Sequence, residues 1–297
     1  MIKKFAALFA AMALLLCTAC GDGADSGSSK PIQHYPVTVG DCEIPAMPQK
    51  VVSLSPSVTD IILALGLSSK LVGVSNSCPN ESGLPVLGSA VLPDCDGIIE
   101  LGANVVLTSE PPSAEDRARL ETHGIKLAVI PFASSLETLK QSYFSVAAVF
   151  AGNINGRTNA DVTTERYNAT LEHFRGAGDN FRFAFVIDSS SGFTPDTLAA
   201  DILTKLGGTN TAAGTKYACD AGQIAAKNPT VLFCFKGDRE TIMQNEKLKE
   251  TDAVKSGRVY EVDSALVERQ GEQVEGLIEV LGTALSEESS SGASDIS

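Results

Sequence analysis

Short apolar runs bounded by turn residues recur along this chain in a fixed order. Val51-Val52-Ser53-Leu54 has the pattern of a strand and is broken by Ser55-Pro56-Ser57. A helical pattern opens at Ser57, with Asp60 three residues on as a capping-box variant. Ile61, Ile62, Leu63 and Leu65 supply its apolar surface, and Gly66 stops it. Leu71-Val72-Gly73-Val74 predicts a second strand, Ile98-Ile99-Glu100-Leu101 the end of a short helix, and Asn104-Val105-Val106-Leu107 a buried strand. The second half repeats this order. Phe183-Ala184-Phe185-Val186-Ile187 is a strand, Asp188-Ser189-Ser190-Ser191-Gly192 breaks it, and Thr194 with Pro195 opens a helix running through Leu198, Ile202, Leu203 and Leu206 to Gly207-Gly208. Ile224 to Pro229 then leads into the strand Thr230-Val231-Leu232-Phe233.

Between the two units the pattern is helical. Leu136 to Ala151 is amphipathic, Asn153-Ile154-Asn155-Gly156 interrupts it, and a second helix runs from Thr158 to His173, a rod of roughly 25 Å at the usual rise per residue. The pattern predicts an α/β fold: two Rossmann-like lobes with parallel-rich sheets, joined by a long backbone helix, with a ligand cleft between them. Open α/β sheets bind ligands at the carboxyl ends of their strands, beside helix N-termini, so both serine-rich turns belong to one expected site.

The first residues change the picture. Lys3 and Lys4 precede an apolar run from Phe5 to Leu16, followed by Cys17-Thr18-Ala19-Cys20-Gly21. A charged start, a short apolar core and small residues before a cut describe a secretory signal peptide over residues 1–19. Small residues before Cys20 resemble a bacterial lipobox and make Cys20 the expected lipidation site, although Cys17 stands where leucine is usual. Residues 20–36, rich in Gly, Ser and Asp, read as a flexible tether, and 286–297 as a disordered tail. The lobes are then expected over 37–135 and 179–285, with the helical linker over 136–178.

The formal net charge of -13 repels nucleic acid and anionic headgroups, so nucleic acid is not an expected partner and the membrane is reached through the lipid alone. Three histidines, His34, His123 and His173, stand far apart and make no helical zinc pair, so no metal ligands and no cofactor are expected. Five cysteines lie in the body, Cys42, Cys78, Cys95, Cys219 and Cys234; a Cys78–Cys95 disulfide is one option, and burial as small apolar side chains is another. G-x-S-x-G, H-E-x-x-H, the P-loop and G-x-G-x-x-G are all missing, and the chain is not expected to be an enzyme.

The stretch Gln49 to Asp60, continued by Ala64-Leu65-Gly66, resembles the opening motif of the iron-siderophore and cobalamin class of ABC-transporter substrate-binding proteins, the periplasmic binding proteins of class III. Val72 to Ser75, Pro85 to Gly88, Asp96 to Leu101 with Val105-Val106-Leu107, Leu206 to Asn210, Asn228 to Leu232 and Ala253 to Tyr260 continue the resemblance over about Val37 to Leu285. The resemblance implies two lobes on a rigid helical backbone and a ferric siderophore, haem or cobalamin as ligand. It further implies a monomer that hands the ligand to a membrane permease driven by an ATPase. It matches Arg269 to an arginine facing the cleft. It matches Asp96 to the N-lobe acid that docks on permease arginines; on the C-lobe that position is Gly222, with Asp220 beside it as a substitute. There is no Trp, and the loops Asn76-Ser77-Cys78, Gly88-Ser89-Ala90 and Thr108-Ser109-Glu110 carry no large flat faces, which favours a smaller or more polar chelate over cobalamin.

The expected ligand contacts are Ser55 and Ser57 after the first strand, Asn76, Ser77 and Cys78 after the second, Ser109 and Glu110 after the third, Phe193 and Thr194 on the second lobe, and Arg269. Each has an ordinary alternative: Ser57 as a helix cap, the loops as turns, Phe193 as a hydrophobic staple, Arg269 in a surface ion pair with Glu268 or Glu272. A lipoprotein sensor or enzyme reusing the same two lobes is the other functional reading.

Overall fold

The structure, a computed structural model, describes residues 34–178, 180–186, 191–193, 197–212 and 218–291. The described chain opens with a small antiparallel hairpin, β1 (Val37–Val39) on β2 (Cys42–Ile44). Strands β3 (Val51–Ser53), β4 (Leu71–Val74), β5 (Val105–Thr108) and β6 (Lys126–Val129) then form a wholly parallel sheet in the order β4-β3-β5-β6. Helices α1 (Pro56–Ala64), α2 (Cys95–Glu100) and α3 (Ala114–Thr122) connect them. The cap of α1 is Ser55, not Ser57: Ser55 is extended and its hydroxyl accepts from Val58 N–H, while Pro56 takes the first helical position, where its missing N–H costs nothing. Gly66, at φ 66°, closes the helix in the left-handed conformation that a Cβ would oppose.

The linker α4 (Leu136–His173) is not a straight rod. It breaks at Gly152 (φ 79°, ψ 168°). Lys140 Nζ lies 2.7 Å from Asp161 Oδ1, although 21 residues of straight helix would separate them by about 31 Å. The Tyr143 and Tyr167 hydroxyls meet at 2.6 Å, and the Arg157 guanidinium sits 4.8 Å over the Phe144 ring. Residues 136–151 and 153–173 are therefore the two antiparallel arms of a helical hairpin, called the hairpin below. The predicted interruption at Asn153 to Gly156 is really a turn at Gly152. Gly156 lies inside the second arm, where a Cβ would come within 2.6 Å of Ala148 N. The second arm, about 31 Å long at 1.5 Å per residue, is the backbone helix.

The second sheet is mixed. Strands β7 (Arg182–Val186), β8 (Ser191–Phe193), β9 (Thr209–Asn210), β10 (Ala218–Asp220), β11 (Val231–Phe235) and β12 (Val259–Val262) take the order β10-β8-β7-β11-β12, with β9 also on β7. β7, β9, β11 and β12 pair parallel; β8 is the reversed strand, antiparallel to both of its neighbours, β7 and β10. Helices α5 (Leu198–Lys205), α6 (Ala221–Ala226), α7 (Arg239–Met243), α8 (Asp252–Lys255), α9 (Ser264–Glu268) and α10 (Gln273–Ser291) complete the lobe. The cap of α5 is Thr197, three residues beyond the predicted Thr194, which lies outside the described residues. α10 continues past Leu285 to Ser291, into the stretch read as a disordered tail.

One apolar core runs from Val51, Val105 and Leu107 through Tyr143, Val146 and Tyr167 of the hairpin into Phe183, Phe185, Val231 and Phe233. Each such aliphatic or aromatic side chain contributes about 1.5–3 kcal/mol on burial, so the hairpin is fused to both lobes. The α/β two-lobe architecture with a long connecting helix is thus the one the order of elements predicts.

Candidate functional site

The carboxyl ends of β3 and β4 carry a lattice of small polar groups. Ser55 and Ser57 hydroxyls lie 2.9 Å apart, Thr59 Oγ1 donates to Ser53 Oγ at 2.8 Å, and Thr59 Oγ1 also lies 3.1 Å from Cys78 Sγ. Ser75 Oγ is 3.0 Å from the same sulfur. Ser53, Ser55, Ser57, Thr59 and Ser75 are all buried. Buried hydroxyls must bond to something, and here they bond to one another and to the start of α1. Ser55 and Ser57, at 1% and 3% exposure, are internal supports; Asn76 and Ser77 are the exposed groups at this end. Ser53, Thr59 and Ser75 were not singled out from the sequence. Their signal was a run of hydroxyl residues on both sides of a strand end.

One strand over, Thr108 Oγ1 donates to Glu110 O at 2.9 Å and accepts from Glu110 N–H, a turn that leaves the Glu110 side chain exposed and Ser109 half-buried. At the end of β6, Phe132 is 49% exposed. Sequence reading passed over it, although Pro131-Phe132 directly follows a run ending in Ile130. A large apolar ring left in water at a strand's carboxyl end is informative, because such rings are normally covered. On the second lobe, Phe193 ends β8 and pairs with Ala218; its side chain and Thr194 lie outside what is described.

Arg269 is tied to neither Glu268 nor Glu272. Its Nε lies 2.9 and 3.1 Å from the two carboxylate oxygens of Asp60, and Nη2 donates to Oδ1 as well. The Asp60 side chain is 1% exposed and Arg269 32%. The hydrogen bonds to Asp60 raise the guanidinium's pKa beyond its ordinary value. The next two residues repeat the grip. Gln270 donates Nε2 to Ala133 O at 2.7 Å and accepts from Ala133 N–H at 2.8 Å, and Gly271 O accepts from Tyr167 OH at 3.0 Å. Opposite, Leu136 N–H donates to Asp201 of α5 at 2.9 Å. Residues 269–271 thus clamp the first lobe and the hairpin to the entry of α10. An acid inside the apolar run Val58 to Leu65 was the available sign that Asp60 is buried and paired.

Asp96 is exposed and pairs with Arg119; Asp220 caps α6 through Gly222 N–H at 2.7 Å and lies 3.3 Å from Lys247. The Gly222 hydrogen bond, then Lys247, lower the Asp220 pKa from its ordinary value. Cys78 and Cys95 do not form a disulfide: both are free, as are Cys42 and Cys234. Among the described residues no group of three or more His, Cys, Asp or Glu gathers to hold a metal, and no helix is long and apolar enough to cross a membrane. Cys20 lies outside the described residues.

No family model matches the chain. It is 28% identical to an uncharacterized ABC transporter substrate-binding lipoprotein of Bacillus subtilis, YvrC, over 94% of this chain and 96% of the relative. Among solved structures, the periplasmic vitamin B12 binding protein BtuF of Vibrio cholerae is similar with a TM-score of 0.67 at 18% identity, over 82% of this chain and 98% of that one. The periplasmic heme binding protein HutB of the same organism gives 0.68 at 20%, over 80% and 98%. A possible iron-binding periplasmic solute-binding protein from Staphylococcus epidermidis gives 0.69 at 20%, over 81% and 99%. The resemblance read in the sequence motifs is borne out at the level of the fold.

Proposed function

We propose that this chain, which has the fold of the iron-siderophore and cobalamin class of ABC-transporter substrate-binding proteins, is the extracytoplasmic capture subunit of an importer. It takes an iron chelate, siderophore or haem, or a corrinoid, from solution and delivers it to a membrane permease with its ATPase. It acts by binding, not catalysis, and the Cys20 lipid holds it at the outer face of the cell membrane.

The observation that carries this reading is the hydroxyl-lined end of the first sheet, locked against the second lobe by the Asp60–Arg269 and Ala133–Gln270 contacts. A preformed site needs fixed donors, and internally bonded hydroxyls hold the loops that carry Asn76, Ser77, Ser109 and Glu110. Those four, with the Phe132 ring, are the ligand contacts in this reading; Ser55, Ser57 and Cys78 position them. Polar loops with the exposed Phe132 ring suit a chelate with an oxygen-rich rim and an apolar face. The relatives' names, for vitamin B12, heme and iron binding, support the ligand class.

A thermal-shift screen of the mature chain with ferric siderophores, haem and corrinoids tests it. A true ligand at a hundred times its dissociation constant adds about 2.7 kcal/mol. Ser77→Ala with Glu110→Gln should then weaken the shift while leaving the unliganded melting point in place. Stabilisation by none of the three classes would overturn the ligand assignment. A Cys20→Ala chain still found in the membrane fraction would overturn the anchor.

A further inference from the structure

The chain enters the first lobe at one end, and the candidate site lies at the other. Asn153 N–H donates to His34 O at 3.2 Å, Tyr35 OH donates to Val149 O at 2.8 Å, and Asn153 Nδ2 donates to Pro36 O at 3.4 Å. A Cβ on Gly152 would come within 2.6 Å of His34 Cβ. Residues 34–36 are thus fastened to the turn of the helical hairpin. From that turn the first arm, 136–151, leads back about 24 Å at 1.5 Å per residue to Leu136. Leu136 follows closely on the carboxyl end of β6, on Phe132 and on Ala133 of the clamp.

The hairpin β1-β2 gives the same direction independently. β1 begins at Val37, and the turn after it reaches the carboxyl end of β6: a Cβ on Gly40 would lie 3.4 Å from Val129 O. The next residue, Asp41, pairs with Arg117 of α3, the helix that follows the carboxyl end of β5. β1 therefore runs toward the site end, and His34 to Pro36 lie behind its start, toward the amino ends of the strands.

This placement sets a length requirement on the reading proposed above, on which the inference rests. A protein held at Cys20 that hands its ligand to a permease in the same membrane must turn its site end toward that membrane. His34 then stands about 24 Å or more from the membrane surface. Residues 20–33 can cover at most about 50 Å at 3.3–3.6 Å per residue, which is enough for that span and for a path around the body. A linker too short for its span brings the effective concentration of the second contact to near zero.

We infer that residues 20–33 are a length-setting spacer: their reach is what lets the anchored protein present its site end to the membrane. With less than about 24 Å of reach, the site stays turned outward, and the protein binds ligand without delivering it.

Deleting residues 22–31 tests this, because it leaves at most about 14 Å between Cys20 and His34. No described residue is removed, so the melting point of the body should not change. Lipidated chains, full and shortened, are placed in phosphatidylcholine vesicles with an acceptor dye on the headgroups. A fluorescent amino acid stands at Glu110, at the site end, or at Asn155, at the turn; both positions are exposed. Time-resolved energy transfer should show close approach of both positions in the full chain, and of position 155 alone in the shortened one. In cells, uptake of haem iron, ferric siderophore iron and cobalamin is measured with each chain. Whichever uptake the full chain supports should fall at least about tenfold on deletion and return when ten Gly and Ser residues replace those removed. Equal transfer from position 110 in both chains, undiminished uptake by the shortened chain, or no recovery with the Gly/Ser replacement would each overturn the inference. A full chain that supports none of the three uptakes would instead overturn the capture reading, while the vesicle measurement still decides the geometry.

Discussion

Arg269→Met isolates the energetics of the interlobe clamp, because burial of the pair is lopsided. The Asp60 side chain is 1% exposed and Arg269 is 32% exposed. Removing the guanidinium strands a carboxylate out of water, and loss of one partner from a buried pair costs about 3–5 kcal/mol. Neutralising the acid as Asp60→Asn leaves a guanidinium that is already partly in water and can rehydrate. That loss is of hydrogen bonds to a charged group, about 1.5–3 kcal/mol. The double variant Asp60→Leu/Arg269→Met removes both charges and should be closer to wild type than Arg269→Met alone, since an apolar pair is often as stable as a buried ionic one. For a body of this size each kcal/mol moves the melting point by about 2–4 °C, so Arg269→Met should lower it by about 6 °C or more. Thermal and urea unfolding followed by circular dichroism measure all three variants. If Asp60→Asn proved the costlier single change, or Arg269→Met melted within about 1 °C of wild type, the buried-carboxylate account would be refuted.

Burial and the adjoining Asp116 push the Cys95 thiol up to about 11, and burial pushes Cys234 up to about 12. At pH 8 only about one Cys95 in a thousand and one Cys234 in ten thousand would be thiolate. Iodoacetamide on the native protein, read peptide by peptide, should therefore modify half-exposed Cys78 first and these two only on unfolding; early modification of Cys234 would contradict its burial. Gly152→Ala should cost about 2 kcal/mol or more, since φ 79° with ψ 168° excludes most side chains and the new Cβ would come within 2.6 Å of His34. Gly124→Ala, also at positive φ but with nothing within 4 Å, is the control that should cost less; equal costs would deny the contact with His34.

The order of elements was legible because each strand and helix announced itself locally: Val51 to Ser53, Phe183 to Val186 and Val231 to Phe235 are apolar runs of strand length. The turn in α4 was not. Asn153 and Asn155 look like helix breakers, yet the second arm runs through both, and the break sits at Gly152, whose φ the surrounding chain imposes. A glycine between two helical patterns does not say whether they continue or fold back; only contacts such as Tyr143 with Tyr167 do. The serine turns marked the right end of the first sheet but assigned the wrong cap to α1, because Ser55 and Ser57 both flank Pro56, and its geometry favours the serine before it. The resemblance gave Arg269 as an arginine facing the cleft; its pairing with Asp60 was not legible, since 209 residues separate the two.

That clamp also bears on how a ligand would enter. Swinging the lobes apart must break Asp60 from Arg269, both Gln270 bonds to Ala133 and the Asp201 bond to Leu136. Opening lets water reach both ends of each contact, so the loss is that of the bonds themselves, about 1.5–3 kcal/mol for each bond to a charged group and about 0.5–1.5 kcal/mol for each neutral one, which together hold a widely open state to about one molecule in a hundred or fewer. Any ligand requiring that state would bind with its affinity reduced by the same factor. Entry through loops is cheaper, because the side chains of Asn76, Ser77 and Glu110 are exposed and none of them belongs to the clamp. Spin labels at the exposed positions 115 and 246, one on each lobe, should therefore report a distance that changes by about 2 Å or less when a chelate saturates the protein. In Arg269→Met the same distance distribution should broaden before any ligand is added. A narrow wild-type distribution that jumps by many ångströms on binding would mean that the lobes swing as a hinge and that the clamp forms only afterwards.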